Sequence, residues 1–508
     1  MLHSNLNFKR IIMRSIYFAL IGLFFFASCS EDILEVESST QISSETFWRT
    51  ESDVRLAIDG TYSTLGDLEQ NYIYHDVMSD NAYNNYPWEG FKAIADGTHT
   101  DSDPWAISGF WEYCFRGIGR ANVVLDNLDD VEGLNDDFKK SVRGEALFLR
   151  AYFYFKLTDH YGGVPIFLES PKLEHGQMPR DTKENVVKQI LIDLDEAASL
   201  LPATQSQTGR ATVGAAKALK TRVLLYNGRW AEAATTAKEV LNMNYSLFPS
   251  YRELFMEANE NNQEVIFDVQ FKAPEQGNFN ILYLGSFSIG GWSSIVPMQS
   301  LVDEYEMTDG LSIEESPMYD AGHPYNNRDP RLKATIFVPG VTANGIPDHE
   351  GEYTGYTFKK YTEYNEDNVV PVVGYPNTTG TNTIVFRYGQ ILLAYAEAQN
   401  EAVGPDQSVY DAVNAVRTRP GVEMPALQTG MSKDEMRQAI RHERRVELAL
   451  EGTRYSDLKR WKIAEDVLDG LVDPGGTRVF DPSKHYLWPI PRAEFDIEGT
   501  QQEQNPGW

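Results

Sequence analysis

The 508-residue sequence predicts a predominantly α-helical fold, in which helical hairpins form a scaffold and a loop-rich region with minor β structure lies over it. Three observations support this prediction. Segments dense in strong helix formers recur along the chain, and short turns join them in pairs. Residues 245–385 are instead rich in Gly, Pro, Asn and aromatic residues and contain only short alternating runs. The hairpins are irregularly spaced, so a regular tandem array is not expected.

The clearest hairpin lies near the middle of the chain. Ala215–Tyr226 predicts one helix, Asn227-Gly228 a turn, and Trp230–Leu241 a second helix. Small side chains at Ala233 and Ala237 are expected to face the first helix. Close approach of two helices at small residues is typical of tetratricopeptide-type hairpins.

Further helices are predicted on both sides of this hairpin. Ser44 and Thr46 are possible caps for an opening helix around residues 51–65. Arg143–Leu157 is apolar on nearly all sides, which is typical of a helix buried between others. Two more hairpins are predicted toward the C-terminus: Arg387–Asn400 with Ser408–Arg417, and Ile440–Trp461, which is expected to be helical to Gly452 and again from Arg454.

The segment of residues 440–462 has a distinctive charge pattern. Glu443, Glu447 and Glu451 recur every four residues and therefore share one helix face. Two such carboxylates could form a glycosidase acid/base pair, which needs a separation of about 5–10 Å. We instead expect an ion network that clamps helices together, because four arginines are near in sequence: Arg441, Arg444, Arg445 and Arg454.

Composition excludes some classes of function. The formal net charge is −29 and the sequence pI is ≈ 4.7. A nucleic-acid-binding protein needs basic patches, so nucleic acid is not an expected partner. The same charge argues against electrostatic adhesion to an anionic membrane surface.

The N-terminus predicts a secreted lipoprotein. Residues 1–28 have the features of a signal peptide, with the true start at Met1 or Met13. A basic region precedes an apolar run at residues 16–26, and Phe26-Ala27-Ser28-Cys29 resembles a bacterial lipobox. We expect lipid on Cys29, followed by a polar, acidic tether at residues 29–46. The other cysteine, Cys114, has an aromatic setting typical of a buried, inert thiol.

Several blocks resemble, in order, the SusD/RagB family of outer-membrane nutrient-binding lipoproteins. They are Phe47–Leu65, Pro297–Gly310, Asn327–Phe337, Ile440–Lys462, and Tyr486–Pro491 with Gln504–Trp508. The resemblance implies a scaffold of four degenerate tetratricopeptide-type hairpins, with an N-terminal region at residues 47–270 and a C-terminal region at 271–508. It also implies that the acidic residues after Cys29 direct the lipoprotein to the cell surface.

The function implied by this resemblance is carbohydrate capture. Such a protein binds an oligosaccharide or polysaccharide at the outer membrane and delivers it to a SusC-like TonB-dependent transporter, with no cofactor and no catalysis. By resemblance, the ligand site is formed by a loop near the first hairpin and by loops of the middle segment. Three other functions stay open: binding of peptides by the same fold, a surface glycoside hydrolase using Asp76 and Asp80, and a helical scaffold with only protein partners.

Candidate ligand-binding residues lie in aromatic loops. Sugars present flat apolar faces that stack on aromatic rings, and their hydroxyls need polar partners. Residues 71–105 form a long irregular stretch that supplies both, and a long loop rich in aromatics is usually functional rather than disordered. Trp292 follows two glycines, a setting that tends to expose a large ring. The candidates are Asp80, Asn81, Tyr83, Tyr86, Trp88, Trp292 and Tyr325.

Other chemistry is not supported by the sequence. It contains no nucleotide-binding glycine loop, no GxSxG motif and no helical histidine pair for zinc. Four acidic residues could suggest calcium, but they do not match an EF-hand, and we expect them to form a solvated acidic helix face: Asp303, Glu304, Glu306 and Asp309.

Overall fold

The computed structural model describes residues 47–340, 353–363 and 378–508, so Cys29, the signal peptide and the tether lie outside the described residues. Helices predominate. They are α1 Glu51–Glu69, α2 Phe91–Asp96, α3 Phe110–Asn127, α4 Asp136–Tyr161, α5 Lys183–Leu200, α6 Val213–Tyr226, α7 Trp230–Leu241, α8 Asn280–Leu284, α9 Gln299–Glu304, α10 Pro330–Thr335, α11 Tyr388–Val403, α12 Gln407–Arg417, α13 Lys433–Glu447, α14 Arg454–Arg460, α15 Ala464–Leu468 and α16 Arg492–Phe495. Within the described part of the chain, no helix has the length and apolar character needed to cross a membrane.

The long helices form a continuous packed series. Helix α1 packs on α3, α3 on α4, α4 on α5, and α5 on α6. The predicted hairpin of α6 and α7 is confirmed, with Ala233 and Ala237 fully buried, and α7 packs on α11. The hairpin of α11 and α12 is also confirmed, and α13 packs on α11. The prediction of a helical-hairpin scaffold is therefore correct.

The first helix begins with a different cap from the one expected. Thr50 caps α1, because its hydroxyl accepts from the backbone N–H of Asp53 while the Asp53 carboxylate accepts from the backbone N–H of Thr50. Ser44 and Thr46 lie outside the described residues. The helix itself begins at Glu51, where the sequence predicts it, so only the identity of the cap differs.

Helix α4 is the buried helix that the sequence predicts. Its apolar residues are enclosed by α3 and α5. The guanidinium of Arg150 donates two hydrogen bonds of 2.8 Å to the carboxylate of Asp193 on α5 and a third, of 2.9 Å, to Asn122 on α3. A planar guanidinium satisfies two neighbours at once, so this buried arginine fixes three helices together.

The helix predicted for residues 440–452 ends earlier than expected. Helix α13 stops at Glu447, and a tight turn leads to α14 at Arg454. Leu450 and Gly452 both have positive φ values, 61° and 63°, which no α-helix accommodates. The expected hairpin at residues 440–461 is thus two helices joined by a strained turn, and their link is the ion pair of Arg444 with Asp457.

Across the described ranges the strands are short, and they pair in four two-stranded antiparallel sheets. The sheets pair β1 Ala82–Asn84 with β3 Ile295–Pro297, β2 Val265–Val269 with β6 Thr383–Arg387, β4 Ile336–Phe337 with β5 Thr357–Phe358, and β7 Val472–Asp473 with β8 Gly476–Thr477. Each sheet but the last joins segments distant in sequence. Strands of two to five residues give the middle region the small β content that the sequence predicts.

Glu443 and Glu447 on α13, with Glu451 in the turn that follows it rather than on the predicted helix face, form a buried ion network. Arg331 bridges Glu443 and Glu447 at 2.5 and 2.9 Å. Arg387 bridges Glu447 and Glu451, each at 2.7 Å. These five side chains are fully buried, and further cations complete the network: Arg417 on Glu443, Arg419 on Glu447, and Lys360 on Glu451. The glutamates are therefore structural, as predicted.

The cations in this network are not the ones expected from the sequence. Arg441, Arg444, Arg445 and Arg454 pair with other groups, because they project from other faces of their helices. The partners of the glutamates come instead from the middle region, from the end of β6, and from the end of α12 with the residues that follow it. The network therefore joins parts of the chain that no local pattern connects.

Replacement of one network carboxylate tests this assignment. In Glu447→Gln, Arg331, Arg387 and Arg419 stay buried but lose their shared counter-charge. We expect the free energy of unfolding to fall by about 3–5 kcal/mol in urea titrations. Glu196→Gln, at an exposed position on α5, is the matched control and should change stability by less than about 0.5 kcal/mol. Equal stability of Glu447→Gln and wild type would contradict the assignment.

The network also predicts a loss of stability in acid. Burial alone would raise the pKa of Glu443, but Arg331 and Arg417 outweigh it and lower the pKa to about 2. Burial opposes the shift at Glu451 too, yet Arg387 and Lys360 lower its pKa to about 2. Because both pKa values are depressed by folding, this stabilisation is complete above about pH 4.5 and disappears as the pH falls toward 2.

The measurement is the urea midpoint of wild type and of Glu443→Gln across this pH range. The wild-type midpoint should fall steeply below about pH 4.5, and the variant, which lacks one of the titrating groups, should show a shallower fall. Parallel pH profiles for the two proteins would show that Glu443 is not a source of the acid sensitivity.

Candidate functional site

Two loops that are 200 residues apart meet at the end of one small sheet. In the antiparallel pair of β1 and β3, Tyr83 lies opposite Val296 and Asn84 opposite Ile295. The chain leaving β1 therefore lies beside the chain entering β3. This register brings Asn84–Glu89 against Trp292 and Ser294, so the candidates Tyr86, Trp88 and Trp292 lie on adjoining segments.

Three aromatic residues come together where these loops meet. The rings of Tyr86 and Trp88 have centroids 4.5 Å apart and an interplanar angle of 32°. The Tyr86 hydroxyl donates a 3.1 Å hydrogen bond to the backbone carbonyl of Trp292. Trp88 is 68% exposed, whereas Tyr86 and Trp292 are half-buried. We call Tyr86, Trp88 and Trp292 the aromatic surface.

Local backbone geometry explains the exposure of Trp88. Pro87 occupies the first position of a short 3₁₀ turn over Pro87–Glu89, where its fixed φ suits a helical start. Gly90, at φ 88°, ends the turn in a conformation that favours glycine. The Glu89 carboxylate pins the turn, since it accepts from the Asn84 amide at 2.6 Å and from the hydroxyl of Ser294 at 2.9 Å.

The loop before β3 holds Trp292 by a close backbone contact. A Cβ at Gly291 would lie 2.1 Å from the carbonyl oxygen of Gly285, so only glycine fits there. The Trp292 backbone N–H donates to Leu282 at 2.7 Å, and its ring meets the edge of the Tyr283 ring at 5.9 Å. The glycines thus fix the backbone that carries this half-buried ring.

Tyr83, which the sequence suggests as a ligand-binding residue, lies inside the protein in this structure. It is 3% exposed and packs with Val296 and Met298. Its ring contacts Tyr353 at 6.0 Å, and the ammonium of Lys92 lies 5.0 Å from the ring centroid. Because Tyr83 lies in the middle of β1, its ring packs against the neighbouring strand instead of extending to the surface.

Asp80 and Asn81, which the sequence also suggests as ligand contacts, are buried in this structure. Burial alone would raise the pKa of Asp80, but Arg445 and Arg454 lower it to about 2. The Asn81 amide donates to Asp76 at 2.8 Å. These groups hold the C-terminal segment in place, which is a structural role.

Asp76 also binds the C-terminal segment, at the turn after α13. Its carboxylate accepts from the backbone N–H groups of Leu450 and Gly452, at 3.2 and 2.8 Å, and it is fully buried. A hydrolytic pair at Asp76 and Asp80 would need access to substrate and water. Burial and ion pairing therefore remove the support for these two residues as glycosidase carboxylates.

Comparison with known proteins gives the family. A profile of the SusD family matches residues 258–508, and a profile described as starch-binding and associating with the outer membrane matches residues 32–225. The chain belongs to the SusD family.

The similarity to individual SusD-family proteins extends over most of their length. SusD-like protein P25 of Formosa agariphila is 26% identical over 532 residues, which cover 96% of this chain and 98% of that protein. The starch-binding protein SusD of Bacteroides thetaiotaomicron is 26% identical, with 83% of each chain covered. The crystal structure of a SusD-like carbohydrate-binding protein from Bacteroides fragilis superposes with a TM-score of 0.80 at 28% identity, covering 89% of this chain and 99% of that one.

Tyr325 of this SusD-family protein is half-buried and lies in a separate hydrogen-bonded pair. Its hydroxyl is 3.1 Å from that of Tyr356, which donates to Gln299 at 2.6 Å. The Tyr325 ring meets the Tyr356 ring in an edge arrangement, with centroids 6.2 Å apart. Tyr325 as a ligand contact stays a prediction, separate from the cluster built on β1 and β3.

Two of the four acidic residues considered for calcium pair with basic side chains. Glu304 binds His442 and Arg445, and Glu306 binds Arg417, so the expectation of a solvated acidic face is wrong for these two. Burial would lower the pKa of His442, but the hydrogen bond to Glu304 and the charge of Glu306 raise it. Within the described ranges, no group of three or more His, Cys, Asp or Glu side chains is placed to hold a metal ion.

Sequence reasoning missed Glu89 and Asn84, which fix the turn that carries Trp88. Besides donating to Glu89, the Asn84 amide donates to the backbone carbonyl of Ser294 at 2.7 Å. Partial burial raises the pKa of Glu89. Their role depends on a partner 205 to 210 residues away, and no local signal in the sequence identifies that partner.

Proposed function

We propose that this protein is a cell-surface lipoprotein that binds an oligosaccharide or polysaccharide and delivers it to a SusC-like TonB-dependent transporter in the outer membrane. The observation that carries the proposal is the aromatic surface, in which the 68% exposed ring of Trp88 lies beside Tyr86 and Trp292. A rigid aromatic surface stacks on the apolar face of a sugar ring. The names of its SusD-family relatives, a starch-binding protein and a carbohydrate-binding protein, support the same ligand class.

The proposal is one of binding rather than bond cleavage. The aromatic surface offers stacking and polar contacts, and the nearby carboxylate of Glu89 is occupied by Asn84 and Ser294. Asp76 and Asp80, the acids considered for hydrolysis, are buried. Release of new reducing ends from soluble starch or laminarin by the purified protein would contradict a purely binding role.

The aromatic surface predicts the effect of two substitutions. Trp88→Ala and Trp292→Ala each remove a stacking ring, and stacking on an aromatic side chain is worth about 1–3 kcal/mol in comparable systems. Affinity for the bound glycan, measured by calorimetry after a glycan-array screen, should therefore fall roughly 5- to 150-fold. Wild-type affinity should change little with salt concentration, since a neutral glycan carries no charge to be screened.

Two controls separate binding from folding. Trp488 is fully buried, so Trp488→Ala should destabilise the protein by about 3–5 kcal/mol. Trp88→Ala should melt close to wild type, because its ring contributes little to the core. Folded Trp88→Ala and Trp292→Ala proteins with undiminished glycan affinity would refute the aromatic surface as the binding site.

The anchor and the transporter are tested together at Cys29. A single lipidated cysteine is the proposed membrane attachment, so Cys29→Ala should be lost from the membrane fraction or retained as uncleaved precursor. Wild-type protein solubilised from the host's outer membrane should co-purify with a TonB-dependent transporter. Normal membrane retention of processed Cys29→Ala would contradict the anchor, and wild type free of any such transporter would contradict the delivery role.

A further inference from the structure

A second tryptophan is as exposed as Trp88. Trp105 is 65% exposed and Trp88 is 68% exposed, and every other tryptophan in the chain is at least partly buried. An exposed indole ring keeps a large apolar area in water and contributes little to folding. Two such rings in one region therefore indicate a surface that contacts a ligand.

Both rings are presented by the same local arrangement. Pro87-Trp88 opens the short turn of Pro87–Glu89, and Pro104-Trp105 opens a single π-helical turn over Pro104–Gly109. In each turn proline holds the first position, and the tryptophan that follows it points into solvent. The repeated Pro-Trp pair thus exposes a ring on a fixed backbone rather than on a loose loop.

The two turns touch each other. A Cβ placed on Gly90 would lie 3.2 Å from the Cβ of Trp105 and 3.2 Å from the backbone nitrogen of Ala106. Gly90 follows Trp88 by two residues, so the two rings extend from adjoining backbone. Tyr161 on α4 donates a 2.5 Å hydrogen bond to the Ile107 carbonyl, which fixes the second turn on the scaffold.

The surroundings of Trp105 are polar. Thr100 and Ser102, with exposed hydroxyl-bearing side chains, precede it in the chain, and the Asp103 carboxylate orders this segment by accepting from the Thr100 N–H at 2.8 Å. The centre of a protein interface is depleted of such groups. A flat ring among hydroxyls and carboxylates instead matches a ligand with apolar faces and many hydroxyls.

We propose that Trp105 is an additional stacking position, so that the surface binds a polysaccharide along its length rather than a short oligosaccharide alone. The inference rests on the proposed carbohydrate-binding function. Tyr86 contacts both the Trp88 ring and the Trp292 backbone, and Gly90 lies against Trp105, so the three tryptophans are carried by adjoining segments. Because Trp88 and Trp105 are 68% and 65% exposed, an internal stretch of a polymer can reach them.

The test compares ligand lengths in wild type and Trp105→Ala. The probes are soluble starch, laminarin, galactomannan and arabinoxylan in affinity gels, followed by calorimetry with oligosaccharides of whichever polymer retards wild type. Trp105→Ala should weaken binding of the polymer and of long oligosaccharides by at least about fivefold. It should leave the affinity for the shortest oligosaccharide that wild type binds, and the melting temperature, unchanged.

Two further variants act as controls. Trp105→Tyr keeps a stacking ring and should retain most of the polymer affinity. Leu173→Ala removes a 98% exposed apolar side chain outside the aromatic surface and should have no effect. If Trp105→Ala proves unstable, Trp105→Gln replaces the ring with a polar side chain suited to an exposed position and should show the same length-dependent loss.

The outcomes distinguish the two proposals. If none of the four polysaccharides slows the migration of the wild-type protein in the gels, this result contradicts the proposed function itself. If wild type is retarded and a folded ring-less variant is retarded equally, the function stands and Trp105 is excluded from the carbohydrate site, as expected if it contacts a protein partner. Equal losses of affinity for the shortest and the longest oligosaccharides would contradict binding along the length of a polysaccharide.

Discussion

The buried ion network on α13 is the constraint on which the rest of the structure depends. Glu447 lies between Arg331, which precedes β4, and Arg387, which ends β6. All three charges are fully buried, so each is stable only while the others are in place. Segments from the middle region are thereby joined to the helical scaffold by charge pairing that tolerates little displacement.

This constraint extends to the candidate site through the turn after α13. The turn at residues 448–453 presents backbone N–H groups to Asp76, while Arg445 and Arg454 pair with Asp80. Those contacts fix the chain just before β1, and the pairing of β1 with β3 then sets the position of Trp88 relative to Trp292. A surface held in this way needs little ordering when a ligand binds, which favours affinity.

Sequence reasoning predicted the exposure of some candidate residues and not of others. Trp88 is exposed, as expected for a ring in an irregular polar loop, and Trp292 after two glycines is half-buried. Tyr83, Asp80 and Asn81 occur in the same stretch but are buried. Tyr83 packs against β3, and Asp80 pairs with Arg445 and Arg454. The sequence around these residues does not reveal partners more than 200 positions away.

The sequence alone determined the helical hairpins, the family and the acidic face of α13. These depend on periodicity, turn residues and ordered motifs, which act over a few residues. The tertiary structure alone decided which cations neutralise Glu443, Glu447 and Glu451, and which aromatic rings stay exposed. The physical reason is that burial and ion pairing depend on which distant segments meet, and the arginines nearest in sequence project from other helix faces.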